Sequence, residues 1–276
     1  MRRSHLEERW PRPSVMGVVN LTPDSFSDGG RFVSAAAAVE AALGMLDAGA
    51  AIVDVGGESS RPGAAAVPVE EELRRVVPVL EQLQGRPTSI DTTKAEVARR
   101  ALELGAALVN DITALRGDAE LAGVVADAGA FLCLMHMQGE PRTMQDAPQY
   151  ADVVDDVASF LEERVAFAVA QGIPEEQICV DPGIGFGKTP DQNLELVRRL
   201  DRIVAIGRPV LVGLSRKSTL GRVLGDPQAR SGTDAASVGA AVAAFDRGAA
   251  LFRVHDVRAH VEALAAAAAV ERGRVA

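Results

Sequence analysis

A single (β/α)8 barrel, an α/β fold of the TIM type, is what this sequence predicts, and three observations carry the expectation. Short β-branched apolar runs alternate along the chain with longer segments of helical period. The strand-like runs are nearly continuously apolar, as in a parallel sheet covered by helices. About eight such units fit the chain, and a one-domain barrel of this kind uses about 250 residues against the 276 present. A doubly wound open sheet is the alternative, but it rarely needs eight regular units. No linker or low-complexity segment marks a second domain. Residues 14–276 therefore read as one barrel, and residues 1–13 as a short, loosely held N-terminal extension.

The expected strands are Val15–Asn20, Ala51–Gly57, Thr88–Asp91, Ala107–Ile112, Phe131–His136, Ile178–Pro182, Val210–Ser215 and Leu251–His255. Between them lie Ala- and Glu-rich segments with apolar residues at i, i+3 and i+4. In Val69–Leu83, for example, Leu73, Val76, Val77 and Leu80 share a face. Gly49, Gly105, Gly129, Gly172 and Gly248 stand where helices should end before the next strand, as left-handed caps do.

The net charge of −9 argues against a broad nucleic-acid surface. Local clusters of Arg and Lys still leave room for an anionic small molecule. Cys133 and Cys179 each sit in an apolar run and read as buried thiols, not as a disulfide or a zinc site. The basic start MRRSHLEERWPRP has no apolar run behind it, so it is not a secretory signal. The Ala-rich C-terminal stretch is too short and too interrupted by charge to span a membrane. A soluble, cytoplasmic protein is expected.

Polar residues end nearly every expected strand: Asn20, Asp54 with Glu58, Asp91, Asn110 with Asp111, His136, Asp181, Ser215 with Arg216 and Lys217, and Arg253 with His255. In a parallel barrel these ends meet at one mouth, where active sites lie. Packing alone does not explain such a distribution, since the opposite strand ends would serve stability equally well. Asp91, Asn110 and Asp181 are rich in acceptors and suit a heterocycle presenting several N–H donors. Arg61, Lys217, Arg253 and His255 form an anion-binding set that suits phosphate or diphosphate.

Specific segments then narrow the reading. Val19–Gly30 (VNLTPDSFSDGG) resembles the first signature of the dihydropteroate synthases, and Gly57–Gly63 (GESSRPG) the second. SIDTTK, VNDI, LMHMQG, DPGIGFGK, SRKS and RVHD follow in that family's order, so the resemblance runs from about Met16 to Val257. It implies that p-aminobenzoate displaces diphosphate from 6-hydroxymethyl-7,8-dihydropterin diphosphate, with Mg2+ present, to give 7,8-dihydropteroate in folate biosynthesis. It also implies a homodimer and sensitivity to sulfonamides. Carried over by position, Asp91, Lys217 and Arg253 are the catalytic residues. Asp91, Asn110, Ile112, Met137, Asp181, Lys217 and Arg253 match the pterin pocket. Asn20, Arg61, Arg253 and His255 match the diphosphate site, with Asn20 the protein contact to Mg2+. Phe26, Ser60, Pro62, Phe186, Lys217 and Ser218 match the p-aminobenzoate region. Thr22–Phe32 and Ser59–Pro68 correspond to loops that order over the substrates in the family. Ser60 stands where many members have Thr, and Thr93 where Ser is frequent; neither change removes a charge.

Plainer readings stand beside these. Asp91 could cap a helix over Thr93–Leu104, and Asn110-Asp111 could be turn chemistry. His136 could merely satisfy a loop backbone, Lys217 and Arg253 could form structural ion pairs, and His5 and His260 read as surface residues. DPGIGFGK resembles a phosphate loop but lacks the full spacing of one. Two competing functions remain: a methyltetrahydrofolate-dependent methyltransferase of the same barrel group, which needs no diphosphate cage, and a non-enzymatic paralogue, which should have lost some of the eight polar positions.

Overall fold

The computed structural model describes residues 5–22, 34–61 and 63–274. Phe26, Pro62 and most of the Thr22–Phe32 loop lie outside the described residues. The strands are β1 (Ser14–Asn20), β2 (Ile52–Gly56), β3 (Thr88–Asp91), β4 (Leu108–Asp111), β5 (Phe131–Met135), β6 (Ile178–Asp181), β7 (Leu211–Val212) and β8 (Leu251–Val254). All pairings are parallel, in the order β6-β5-β4-β3-β2-β1-β8-β7. An isolated parallel bridge from Val180 to Val210 brings β7 back to β6, so the sheet curls into a nearly closed barrel. β7 is shorter than the run Val210–Ser215 predicted, because beyond Val212 the chain already bends toward the mouth through Gly213 and Leu214.

Helices join successive strands on the outside. The helix Val69–Gln82 lies where its periodicity predicts and buries Val76, Val79 and Leu80. The expected caps Gly49, Gly105, Gly129, Gly172 and Gly248 are all left-handed, with φ from +62° to +100°. One large apolar layer lies between strands and helices. A second fills the lower barrel interior and includes Met16, Ile52, Leu108, Phe131, Cys133, Cys179, Leu211 and Leu251. Both thiols are therefore free and buried, as the apolar context predicted.

The N-terminal segment corrects one expectation. Residues 5–13 are not loosely held: a short helix, Leu6–Arg9, places Leu6 and Trp10 in that lower layer, with Trp10 only 2% exposed. The Trp10 ring meets Phe131 edge-on at 4.9 Å. A second correction concerns His260, expected on the surface but 1% exposed. It falls on the core face of the helix Val257–Arg272 with Val257, Leu264 and Ala268, and its Nδ1 lies 2.6 Å from the Asp256 carbonyl. His5 is exposed, as expected. No helix among the described residues is long and apolar enough to cross a membrane.

Candidate active site

Side chains alternate along a strand, so residues two apart point the same way. Asp54, Asp91, Asn110, Asp181 and Arg253 each lie two residues beyond a residue that faces the interior, and so gather at the mouth. Asp54 is the hub. It is fully buried and accepts from Ser89 Oγ at 2.6 Å, Asn110 Nδ2 at 3.0 Å and Arg253 Nε at 2.7 Å. Arg253 Nη2 donates to Asp91 at 2.7 Å. The ion pair considered for Arg253 thus exists, and it links two of the acids, leaving Nη1 outside both pairs. Asp54 stands among the strand-end polar residues in the sequence, but nothing in the sequence reveals that it joins β2, β3, β4 and β8.

The other sequence-predicted residues fall around this hub. Asn20 Oδ1 and Asp91 Oδ2 flank Gly56, each 3.6 Å from where its Cβ would be. Asp181 accepts from the Gly183 N–H at 2.7 Å. Met137 packs with Met135 and Met144, against Ile112 and Phe186, giving the mouth an apolar wall. Lys217 Nζ sits 4.2 Å above the Phe186 ring, a cation–π contact. Ser218 opens the helix Ser218–Val223 directly after Lys217. Ser60 is half-buried and Arg61 exposed in the segment after β2, and Arg61 is near enough to help depress the Lys217 pKa.

Burial and charge shift several of these groups. Burial raises Asp91 to about 7 against the pull of Arg253, with Asp54, Glu72 and Asp111 adding to the rise. Burial raises Asp181 to about 6, opposed by the Gly183 N–H and Lys217. Burial and then Arg253 lower Lys217 to about 8. Burial, with Arg216, Arg253 and Lys217, lowers His255 to about 4, so its ring is neutral at pH 7. Ser215 Oγ accepts from the His255 N–H at 3.2 Å and lies 3.0 Å from its Nδ1. The Ser215 hydroxyl thus holds both the backbone N–H and the ring of His255, fixing the imidazole at the mouth.

The plainer readings separate here. Asp91 caps no helix: that helix begins at Ala95, whose N–H is taken by Asp118. Asp111 does serve a turn, accepting from Thr113 and Leu115, while Asn110 faces the mouth. His136 is neutral and its ring is engaged with Lys188, while its backbone N–H donates to the Asp181 carbonyl at 3.0 Å. A second buried network was missed by the sequence reading. Lys94 bridges Glu58 and the fully buried Glu72, and Glu58 also accepts from the Val67 N–H at 2.9 Å. It ties both ends of the segment carrying Ser60 and Arg61 to the barrel wall.

A parallel barrel with acid acceptors and cations converging at its mouth defines a pterin-binding enzyme. A family model of that description, pterin binding enzyme, matches residues 16–255. The dihydropteroate synthase of Escherichia coli K12 is 48% identical over 257 residues, which cover 91% of this chain and 89% of its own. The solved dihydropteroate synthase of Xanthomonas albilineans with 4-aminobenzoic acid is 48% identical, with a TM-score of 0.86 over 95% of this chain and 94% of that one. The Yersinia pestis dihydropteroate synthase in a sulfonamide drug complex is 44% identical, with a TM-score of 0.88 over 95% of each chain. The chain belongs to the dihydropteroate synthases, the transferases of folate biosynthesis within the pterin-binding enzymes.

Proposed function

We propose that this chain joins 6-hydroxymethyl-7,8-dihydropterin diphosphate to p-aminobenzoate, releasing diphosphate and 7,8-dihydropteroate. One observation carries the reading: Asp91, Asn110, Asp181, Arg253 and Lys217 converge on one mouth, joined through Asp54 or set against the Met137 wall. The acids and the amide accept hydrogen bonds from the ring N–H groups, with Met137 and Ile112 as walls and Arg253 against the ring. Asn20, Arg61, Arg253 and the ring of His255 receive the diphosphate. Phe186, Lys217, Ser218 and Ser60 hold p-aminobenzoate, together with Phe26 and Pro62.

The chemistry is a substitution at the pterin methylene. The C–O bond to the diphosphate breaks with its electron pair leaving on the diphosphate, the arylamine nitrogen attacks the cation left behind, and the resulting ammonium gives up one N–H proton to the diphosphate or solvent. Fixed carboxylates beside the ring stabilise that cation, and the cations across the mouth stabilise the departing diphosphate. Asn20 is the residue that would hold Mg2+, which when bound neutralises charge on the leaving group. The donor set fits such an ion. The Asn20 Oδ1, a hard oxygen donor, stands at the mouth beside the Asp91 carboxylate across Gly56. That suits a cation that keeps its waters and takes further oxygens from substrate phosphates. We further place the enzyme in the cytoplasm as a homodimer, for which the exposed Val223 and Leu224 offer apolar contact area.

Diphosphate release is the test. It should require Mg2+, be accelerated by p-aminobenzoate and be accompanied by 7,8-dihydropteroate, and a simple sulfonamide should inhibit product formation competitively with p-aminobenzoate. Release that yields no 7,8-dihydropteroate, or no release with both substrates, ends the reading. Inhibition only at about a hundredfold above the p-aminobenzoate KM marks about 2.7 kcal/mol of discrimination and a specialised pocket.

A further inference from the structure

The segment after β6 resembles a phosphate loop in sequence, yet its lysine points inward. Lys188 is 2% exposed. Its Nζ lies 3.0 Å from the Gly183 carbonyl, 3.0 Å from the Phe186 carbonyl and 2.9 Å from His136 Nδ1, with the His136 carbonyl farther off at 3.4 Å. An ammonium has three protons and no lone pair, so the three nearer acceptors saturate it. No carboxylate among the described residues forms an ion pair with it. Carbonyl dipoles and a neutral imidazole surround the charge, as they would a small bound cation. Burial pulls the Lys188 pKa down to about 7, while Asp181 pushes back.

The loop is shaped for this cage. Gly183 and Gly187 are left-handed, with φ of +68° and +64°. A Cβ on Gly183 would stand 1.8 Å from the His136 carbonyl oxygen, and one on Gly187 2.6 Å from that of Gln138. The loop therefore lies directly on the chain leaving β5, and only glycine allows that approach. Lys188 fastens the two segments together.

The outer side of the same loop meets the reaction site. The Phe186 ring lies beneath Lys217 Nζ, and a Cβ on Gly185 would be 3.1 Å from Lys217 Cδ. Phe186 thus offers its carbonyl to Lys188 and its ring to Lys217. We propose that Lys188 is a positioning residue, an internal cation that fixes the 183–187 loop so that Phe186 and Lys217 form a preset platform for p-aminobenzoate. The inference rests on the reading of Phe186 and Lys217 as the p-aminobenzoate side. Lys188 itself touches no substrate. Of the pterin contacts, Asp91 and Asn110 stand on other strands and are tied to Asp54 and Arg253, while Asp181 alone accepts from the Gly183 N–H of this loop.

Lys188→Met keeps the aliphatic stem and removes the ammonium. The p-aminobenzoate KM should rise about tenfold or more, as misplaced contact groups predict. The pterin diphosphate Kd, read by calorimetry, should rise severalfold less than that KM, because Asp91, Asn110 and Arg253 are held independently of the loop. A purely structural lysine would lower Tm without separating the two substrates. Phe186→Ala is run in parallel and should also raise the p-aminobenzoate KM. An unchanged KM in Phe186→Ala ends the assignment of that side, and the inference with it. A raised KM there, with Lys188→Met within twofold of wild type or weakening both substrates equally, ends the inference alone. Should Lys188→Met fail to fold, His136→Leu removes one of the three acceptors. It should raise the same KM about threefold while sparing pterin, and a wild-type KM in that variant overturns the proposal.

Discussion

Along β2, Ile52 points into the lower barrel beside Leu6, Trp10 and Met16, while Asp54, two residues on, points into the mouth against Arg253 and Ser89. The same step separates Leu108 from Asn110, Cys179 from Asp181 and Leu251 from Arg253. One set of strands thus builds two interiors with opposite chemistry. In the lower one each large side chain removed from water contributes about 1.5–3 kcal/mol, and no charge is present to oppose it. In the upper one burial works against the residents: it raises Asp91 to about 7 and Asp181 to about 6, and lowers Lys217 to about 8. The lower interior supplies stability that the upper one spends on holding charges ready for a ligand.

The largest effect that can break this comparison lies at the bottom. Trp10→Ala removes the plug that meets Phe131 at 4.9 Å. It should cost about 3–5 kcal/mol of stability, as large aromatic truncations in a core do. Denaturant unfolding reads that loss, and calorimetry should show pterin affinity within about twofold of wild type. A variant that keeps its stability, or that loses pterin binding while folded, would show that the two interiors are not separable.

The next effect lies at the top. Asp181→Asn keeps an oxygen for the Gly183 N–H but turns one pterin acceptor into a donor. Removing a charged partner of this kind costs about 2–5 kcal/mol of binding, roughly thirtyfold or more in affinity. Calorimetric titration with the pterin should show that loss in a fully folded protein. Near-normal affinity would remove Asp181 from the pterin site.

The upper interior was more legible in the sequence than the lower. Acids, amides and cations recurring at strand ends are hard to explain as packing, so the gathering of Asp91, Asn110, Asp181 and Lys217 at one mouth could be expected from the sequence. Their pairings could not. That Arg253 is shared by Asp54 and Asp91 follows from barrel closure, which sets β8 beside β1 and brings residues 199 positions apart in sequence into contact. Leu6 and Trp10 were missed because two apolar residues in a charged segment show no period. Their spacing of four, just before the first strand, was the available signal. His260 was recoverable, since Val257, His260, Leu264 and Ala268 follow a helical stripe whose polar member is easily taken for a surface residue. Lys188 was set aside as a failed phosphate motif, because three backbone carbonyls converging on one point leave no trace in side-chain identities.

The smallest effect is electrostatic and appears only as pH changes. Asp181 titrates at about 6 in the folded chain, with burial the main cause, against about 3.9 in an unfolded one. Between those values the folded state holds a proton that the unfolded state has released, so raising the pH through this window drains stability. Below about pH 4 both states are protonated, and the penalty is absent. Above pH 6 it is fully developed. Asn at this position carries no such penalty, because it never ionises. The stability of Asp181→Asn relative to wild type should therefore rise by about 1–3 kcal/mol between pH 4 and pH 7. Titrations that do not feel Asp181 are common to both proteins and cancel in that difference, and Lys188 and Lys217, which its charge raises, titrate at about 7 and 8, at or above the top of the window. The measurement is denaturant unfolding of the ligand-free pair across the range. In Trp10→Ala, whose lost contacts carry no titrating group, the deficit against wild type should be the same at both ends. A flat difference for Asp181→Asn would mean that its carboxylate is held at an ordinary pKa, by water reaching the mouth or by a closer approach of Lys217. The contrast between a dry, uncharged lower barrel and a strained, charged upper one would then be weaker than the burial of these side chains implies.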